Sequence, residues 1–223
     1  MTGSAAAGGG WALAERRLYL CTPDRPDLTE FLEACLGGGV DVVQLRDKEL
    51  DDGTLVERAR LARQVCAAHH VPLVLNDRPD LAVAAGADGV HVGQDDTPPD
   101  RARRVVGPDR LVGLSTHAAV ELDAAVDGDA PLDYLSAGPV VETPTKPGRP
   151  GTGSGYVTRA VERSPWPVWV TGGVAPDTVP DLVRAGARHF VVVRWLTVAA
   201  DPGRAARELR GAIDRAVDRA GVD

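Results

Sequence analysis

No run of apolar residues in this chain approaches the roughly 18 that would suggest a membrane-spanning helix. Nor is there an excess of positive charge. The 25 Lys and Arg face 32 Asp and Glu, a formal net charge of −7. That balance argues against a nucleic-acid partner, since such proteins carry a basic face. Any basic site is therefore local, a positive pocket in an acidic protein. Cysteine is scarce. Cys21, Cys35 and Cys66 stand far apart, with no CxxC pair and no paired-histidine spacing. They read as reduced thiols of a cytoplasmic protein, and no zinc site is expected. Cys21, near the end of an apparent strand, either fills the core or borders a site. The opening MTGSAAAGGG lacks the basic start and apolar middle of a signal peptide. Residues 1–12 read as a flexible tail and 13–223 as one domain, with no linker to divide it.

What is present is a recurring unit. A short β-branched run leads into a polar or glycine-bearing turn, then into a stretch rich in Ala, Leu and Arg. Strands are expected over 17–22, 41–46, 72–77, 89–93, 111–116, 134–139, 168–172 and 190–194. Helical patterns fall between them at 52–69, 99–106, 118–126 and 177–185, and 203–220 closes the chain. The junctions GGGVDVVQL, AGADGVHV and AGARHFVVV echo one another, each with glycine where a helix should stop. Strands with few polar interruptions suggest a parallel sheet covered by helices. Eight such units match a (β/α)8 TIM barrel. The alternative is a doubly wound open sheet, although no GxGxxG follows the first strand to make it a dinucleotide fold.

In a (β/α)8 barrel the reactive groups stand at the C-terminal ends of the strands. Those ends read QLRDK, NDR, HVGQDD, LSTH, AGPVVETPTK, VTGG and VVVRW, and they collect most of the reactive side chains that sit in apolar surroundings. Gln44, Arg46 and Lys48 share one parity along an extended chain. A single such residue would be an ordinary surface charge. Three together favour an anion site, with the forked guanidinium and the compact ammonium suited to phosphate oxygens.

Asn76 and Asp77 end the third strand, and Asp95 and Asp96 follow the fourth. Neighbouring strands lie roughly 4.8 Å apart, so these carboxylates can meet. Their repulsion favours a shared proton or a shared cation, and beside a phosphate cradle Mg2+ is the natural cation. The plainer reading is that the aspartates cap the following helices; Asp95 is assigned to that and Asp77 to the metal. Thr143, Thr145, Lys146 and Arg149 lie on a Gly/Pro-rich stretch, either a solubilising loop or one that closes over a phosphate. Thr171, Gly172 and Gly173 end the seventh strand where barrels commonly bind phosphate. His69, His70 and His189 read as structural. His91 shares its strand parity with Gly93 and is expected to support the cavity. His117 follows Ser115 and Thr116 but belongs to no triad motif.

NDRPDLAVAAGADGVHVGQDD, with QLRDK before it and LSTH after it, resembles the thiamine-phosphate synthase family over about residues 19–210. The resemblance implies a (β/α)8 barrel, a transferase acting on small molecules with Mg2+. It would couple a pyrimidine methyl diphosphate to a thiazole ethyl phosphate, or its 2-carboxy form, releasing pyrophosphate. By motif, Gln44, Arg46, Lys48 and Asn76 would hold the pyrimidine diphosphate, and Asp77 and Asp96 the Mg2+. Ser115 would contact the diphosphate substrate and Lys146 the pyrophosphate. Thr143, Thr145, Gly173, Val193 and Arg194 would bind the thiazole phosphate. Neither nucleic acid nor membrane is implied as a partner, and the oligomeric state is left open.

The chain departs from that pattern at two points. Glu142 stands where the family loop carries proline, and Arg194 stands where many members carry serine. A thiazole tautomerase on the same fold is the nearest rival, but it needs neither the diphosphate cradle nor the metal pair. A phosphate-ligand sensor would tolerate loss of Lys48 or of one aspartate, and both are kept. A phosphosugar-handling barrel would want an acid/base pair at the strand ends.

Overall fold

The computed structural model describes residues 10–128, 131–142 and 150–221. Eight parallel strands form a closed barrel in sequence order: β1 (Leu18–Thr22), β2 (Val42–Leu45), β3 (Leu73–Asn76), β4 (Gly89–Val92), β5 (Leu111–Thr116), β6 (Tyr134–Ala137), β7 (Val168–Thr171) and β8 (His189–Val192). β8 pairs with β1, Leu20 opposite Val192, so the open-sheet alternative is excluded. The helices are α1 (Leu28–Gly37), α2 (Asp52–Ala68), α3 (Pro79–Ala85), α4 (Pro99–Val106), α5 (Ala119–Asp127), α6 (Gly153–Arg163), α7 (Val179–Arg184), α8 (Arg194–Thr197) and α9 (Pro202–Ala220). Among the described residues no helix is long and apolar enough to cross a membrane.

Several expected boundaries move by one or two residues, as where the strand expected over 134–139 ends at Ala137, and two shifts bear on the site. The β-branched run 190–193 reads as strand through residue 194, yet β8 stops at Val192 and Val193 turns the chain into α8. The Gly/Pro-rich stretch ends earlier than its composition suggests, because α6 is helical from Gly153.

The two-residue period sorts side chains between two apolar layers. Val43 and Leu45 of β2 pack outward in the layer between strands and helices. Val42 points inward, with Tyr19, Val74, Leu111, Tyr134, Trp169 and Val191. Leu13, on a 3-10 turn before β1, and the partly buried Trp11 pack against this inner cluster. Gly113 on β5 makes room for it: a Cβ there would lie 2.1 Å from the Tyr134 ring. Outside, Gly86 and Gly186 follow α3 and α7 at φ 71° and 99°, left-handed values that side chains resist.

Three even-numbered strands share one anchoring device. Asp41, Asp88 and Asp133 each directly precede or lie one residue before β2, β4 and β6. Each carboxylate accepts a backbone N–H at the start of the preceding strand, from Leu18, Leu73 and Val112 respectively. Each also pairs with a helix arginine: Arg210, Arg63 or Arg103. Burial pushes all three carboxyls upward, while the backbone N–H groups and arginines oppose that shift. At the fourth position Arg188 replaces the aspartate, and the following His189 instead donates from Nδ1 to the Arg16 carbonyl, 2.6 Å away.

Candidate active site at the mouth of the barrel

The register places inward-facing polar groups at the C-terminal ends of successive strands. Cys21 lies opposite Gln44, Asn76 opposite His91 and Ser115 opposite Ser136. These residues, with Tyr19, Arg46, Val191 and Val193, line a cavity of about 70 Å³. Cys21 thus borders the site as well as filling the inner core. Arg46 is half-buried and makes no ion pair among the described residues. A guanidinium held without a counter-charge at a cavity wall is a ready anion ligand.

Lys48 reaches the same rim from the loop after β2. Asp47 shapes that loop by accepting the N–H groups of Asp24, Glu49 and Leu50, so its role is capping, as its opposite parity implies. Asp51 then caps α2 through the Thr54 N–H, 3.0 Å away. The Lys48 ammonium lies 2.9 Å from the Asp77 carboxylate. Asp77 has a left-handed φ of 62°, a conformation that Asp tolerates at some cost and that clusters at functional sites. Its N–H donates to the His91 carbonyl, 2.8 Å away, which ties the β3 end to β4.

Asp77 and Asp96 stand close enough for their carboxylates to act on each other. Burial, then the neighbouring Asp96, push the Asp77 carboxyl upward, and Lys48 pulls it down. Asp96 is held in turn by the Gly93 N–H, 2.9 Å from Oδ2. A Cβ at Gly93 would come within 2.8 Å of that oxygen, which gives the glycine of HVGQDD its reason. Asp95 is exposed and caps nothing: α4 has Pro98 at its N-cap and no side-chain cap. Two hard carboxylate oxygens brought together against their repulsion suit Mg2+, which commonly takes one or two carboxylates and completes its shell with phosphate and water. Among the described residues no three His, Cys, Asp or Glu side chains gather into a complete metal cage.

A second cavity, about 250 Å³, opens beside the first. Gly172, Gly173, Val174, Val141 and Glu142 form one side of it, and β8 with Arg194 and Trp195 the other. Gly173 has φ 76°, and a Cβ on it would strike Val141 at 2.5 Å. Val191 and Val193 line both cavities, so the two spaces share a wall. Arg194 is exposed and, among the described residues, unpaired. Thr143, Thr145, Lys146 and Arg149 lie outside the described residues.

The first cavity's floor was the part least visible in the sequence. Tyr19, Tyr134 and Ser136 sit inside apolar strands and carry no motif. The parity that links Tyr134 to Ser136, and Ser136 to Ser115 across the sheet, was the available signal.

The model of the family described as thiamine monophosphate synthase matches residues 18–196. The thiamine-phosphate synthase of Thermobifida fusca is 48% identical over 202 residues, 89% of this chain and 92% of that protein. That of Mycobacterium tuberculosis H37Ra is 46% identical over 222 residues, 92% of this chain and 97% of that protein. Among solved structures, the thiamine phosphate pyrophosphorylase of Pyrococcus furiosus superposes with a TM-score of 0.82 at 27% identity, covering 90% of this chain and 96% of that one. Matched along most of its length and built on the same barrel, the chain belongs to the thiamine monophosphate synthase family.

Proposed function

We propose that the two adjoining cavities hold the two halves of one coupling reaction. The polar one takes the pyrimidine methyl diphosphate, the glycine-walled one the thiazole ethyl phosphate, and the products are thiamine phosphate and pyrophosphate. The shared wall carries this reading, since Val191 and Val193 would let the reacting ends of both substrates meet. Holding two reactants in contact is itself a large part of such catalysis.

Gln44, Arg46, Lys48, Asn76 and Ser115 hold the pyrimidine diphosphate. Gly173, Val193 and Arg194, with Thr143 and Thr145, hold the thiazole phosphate. Lys146 reaches the departing pyrophosphate; like the two threonines, it takes its role from the family motif alone. Asp77 and Asp96 hold Mg2+, which when bound neutralises charge on the diphosphate oxygens. Arg46, Lys48 and Lys146 stabilise the charge that the leaving pyrophosphate gains as the carbon–oxygen bond breaks. The pyrimidine delocalises the resulting cation, and the thiazole nitrogen captures it. No activated nucleophile is needed in this course, which agrees with the absence of a triad at the described rim. A cytoplasmic setting belongs to the same proposal and rests on Cys21, Cys35 and Cys66, all buried thiols outside any disulfide.

The test mixes enzyme with each substrate alone and with both, with and without Mg2+, and follows pyrophosphate. Release is expected only with both substrates and the metal. Release from the pyrimidine diphosphate alone at the same rate would point to a hydrolase. Binding without release would point to a sensor.

A further inference from the structure

Beneath the polar cavity runs a chain of hydrogen bonds that crosses the barrel. It starts at Cys21, whose Sγ lies 3.1 Å from Gln44 Oε1. Gln44 Nε2 donates to the Tyr19 hydroxyl at 2.9 Å. The Tyr19 and Tyr134 hydroxyls are 3.0 Å apart. Tyr134 lies 3.1 Å from His91 Nδ1, and His91 Nε2 lies 2.8 Å from the Ser115 hydroxyl. The links run from β1 to β2, back to β1, and then to β6, β4 and β5. The chain therefore joins Gln44 and Ser115, two residues assigned to the pyrimidine diphosphate, from across the barrel.

Every inner member can both give and accept a hydrogen bond, so the chain has a direction. Gln44 gives its amide hydrogen to Tyr19. Among the described residues the Tyr19 hydroxyl has Gln44 and Tyr134 as partners, so its own hydrogen goes to Tyr134. Tyr134 then gives its hydrogen to His91 Nδ1, which must be the bare nitrogen of the ring. The ring proton is left on Nε2 and points at the Ser115 oxygen. Both phenols are fully enclosed, and burial holds them firmly in the protonated form. In the reverse direction Ser115 would give its hydrogen to His91 and turn only lone pairs toward an anion.

We propose that His91, backed by Tyr134 and Tyr19, is a positioning residue whose ring stays protonated at Nε2, so that Ser115 turns its hydroxyl hydrogen into the cavity and donates to the anionic oxygens of the substrate. This rests on the reading of that cavity as the diphosphate site. His91 touches Ser115 and not the reacting atoms, so it acts through the serine. Its stacking on Tyr134, with ring centroids 5.5 Å apart, keeps the ring in plane for both contacts.

Two measurements test it. The first is the nitrogen chemical shifts of the His91 ring in the substrate-free full chain, labelled with 15N-histidine and assigned by their loss in His91→Asn. A neutral ring protonated at Nε2 is expected; a ring protonated at Nδ1, alone or with Nε2, overturns the proposal. The second is a double-mutant cycle on the coupling reaction. Tyr134→Phe keeps the ring over Gly113 but removes the donor to Nδ1. It should raise KM for the pyrimidine diphosphate about fivefold, the worth of one ordinary hydrogen bond, and leave KM for the thiazole phosphate unchanged. In a Ser115→Ala background the same change should add nothing. Full additivity of the two substitutions, or an equal rise in both KM values, overturns the proposal. An inactive wild-type chain would remove the functional reading, whereas the tautomer is read without substrate and stands or falls separately.

Discussion

Lys48 is half exposed, with 53% of its side chain accessible, and its partner Asp77 has 19%. An ion pair so open to water contributes at most about 1 kcal/mol to stability, so folding alone does not account for holding the ammonium at the rim. Lys48→Ala should lower kcat/KM for the pyrimidine diphosphate by roughly tenfold or more, the scale of one charge-assisted hydrogen bond. The thermal midpoint should move by no more than about 4 °C. A large fall in midpoint with kcat/KM intact would make Lys48 a structural residue. Arg194 poses a different question, because an exposed cation beside a glycine-walled cavity could be ornament. Arg194→Ala is expected to raise KM for the thiazole phosphate about tenfold, and an unchanged KM would leave the phosphate to backbone donors. Both residues were visible in the sequence because each follows an apolar strand. Tyr19 and Tyr134 were not, since an aromatic inside a strand reads as core until its hydroxyl is seen to meet another.

At the scale of elements, the aspartates before β2, β4 and β6 do more than end a turn. Each pins an N–H at the first or second residue of the preceding strand and draws a helix arginine over the junction. Asp133 is the most enclosed, at 8% exposure, and Arg103 also donates to the carbonyls of Gly107, Arg110 and Pro131. Asp133→Asn keeps the size but leaves the Arg103 charge half-compensated, and should cost about 3 kcal/mol. Urea unfolding measures it, and a loss below about 1 kcal/mol would mean the carbonyls suffice. The strand and helix spans themselves were largely legible, because a two-residue apolar period and a glycine stop are local signals. The end of β8 was not: Val191, Val192 and Val193 are equally β-branched, and only packing decided that the third should turn into α8. Of the neighbours Asp95 and Asp96, the sequence offered the first as a helix cap and only the family motif singled out the second. The turn at Gly93 gave one of them to the site and the other to solvent.

For the whole molecule, closure between β8 and β1 partly buries His189 where the barrel is sealed. Burial lowers its readiness to take a proton below the ordinary value of 6.5, and the nearby Arg17 and Arg188 charges add to this, against the Arg16 carbonyl. The unfolded chain therefore binds this proton more readily than the folded one. Stability from keeping the ring neutral is complete above the unfolded value and falls as pH drops through it. The thermal midpoint of the wild type should fall more steeply between pH 7 and pH 5 than that of His189→Gln. Equal slopes would show that the ring titrates freely in the fold.

By itself the sequence determined the alternation of strand and helix, the gathering of reactive groups at strand ends and the family these match. All three depend on spacing within a few residues, or on motifs that survive as text. The tertiary structure alone decided that the sheet closes, that Asp77 and Asp96 come within reach of each other, and that two cavities share Val191 and Val193. It alone joined Gln44 to Ser115 through Tyr19, Tyr134 and His91. Those contacts cross the barrel between segments distant in the chain, and only closure and register bring such segments together.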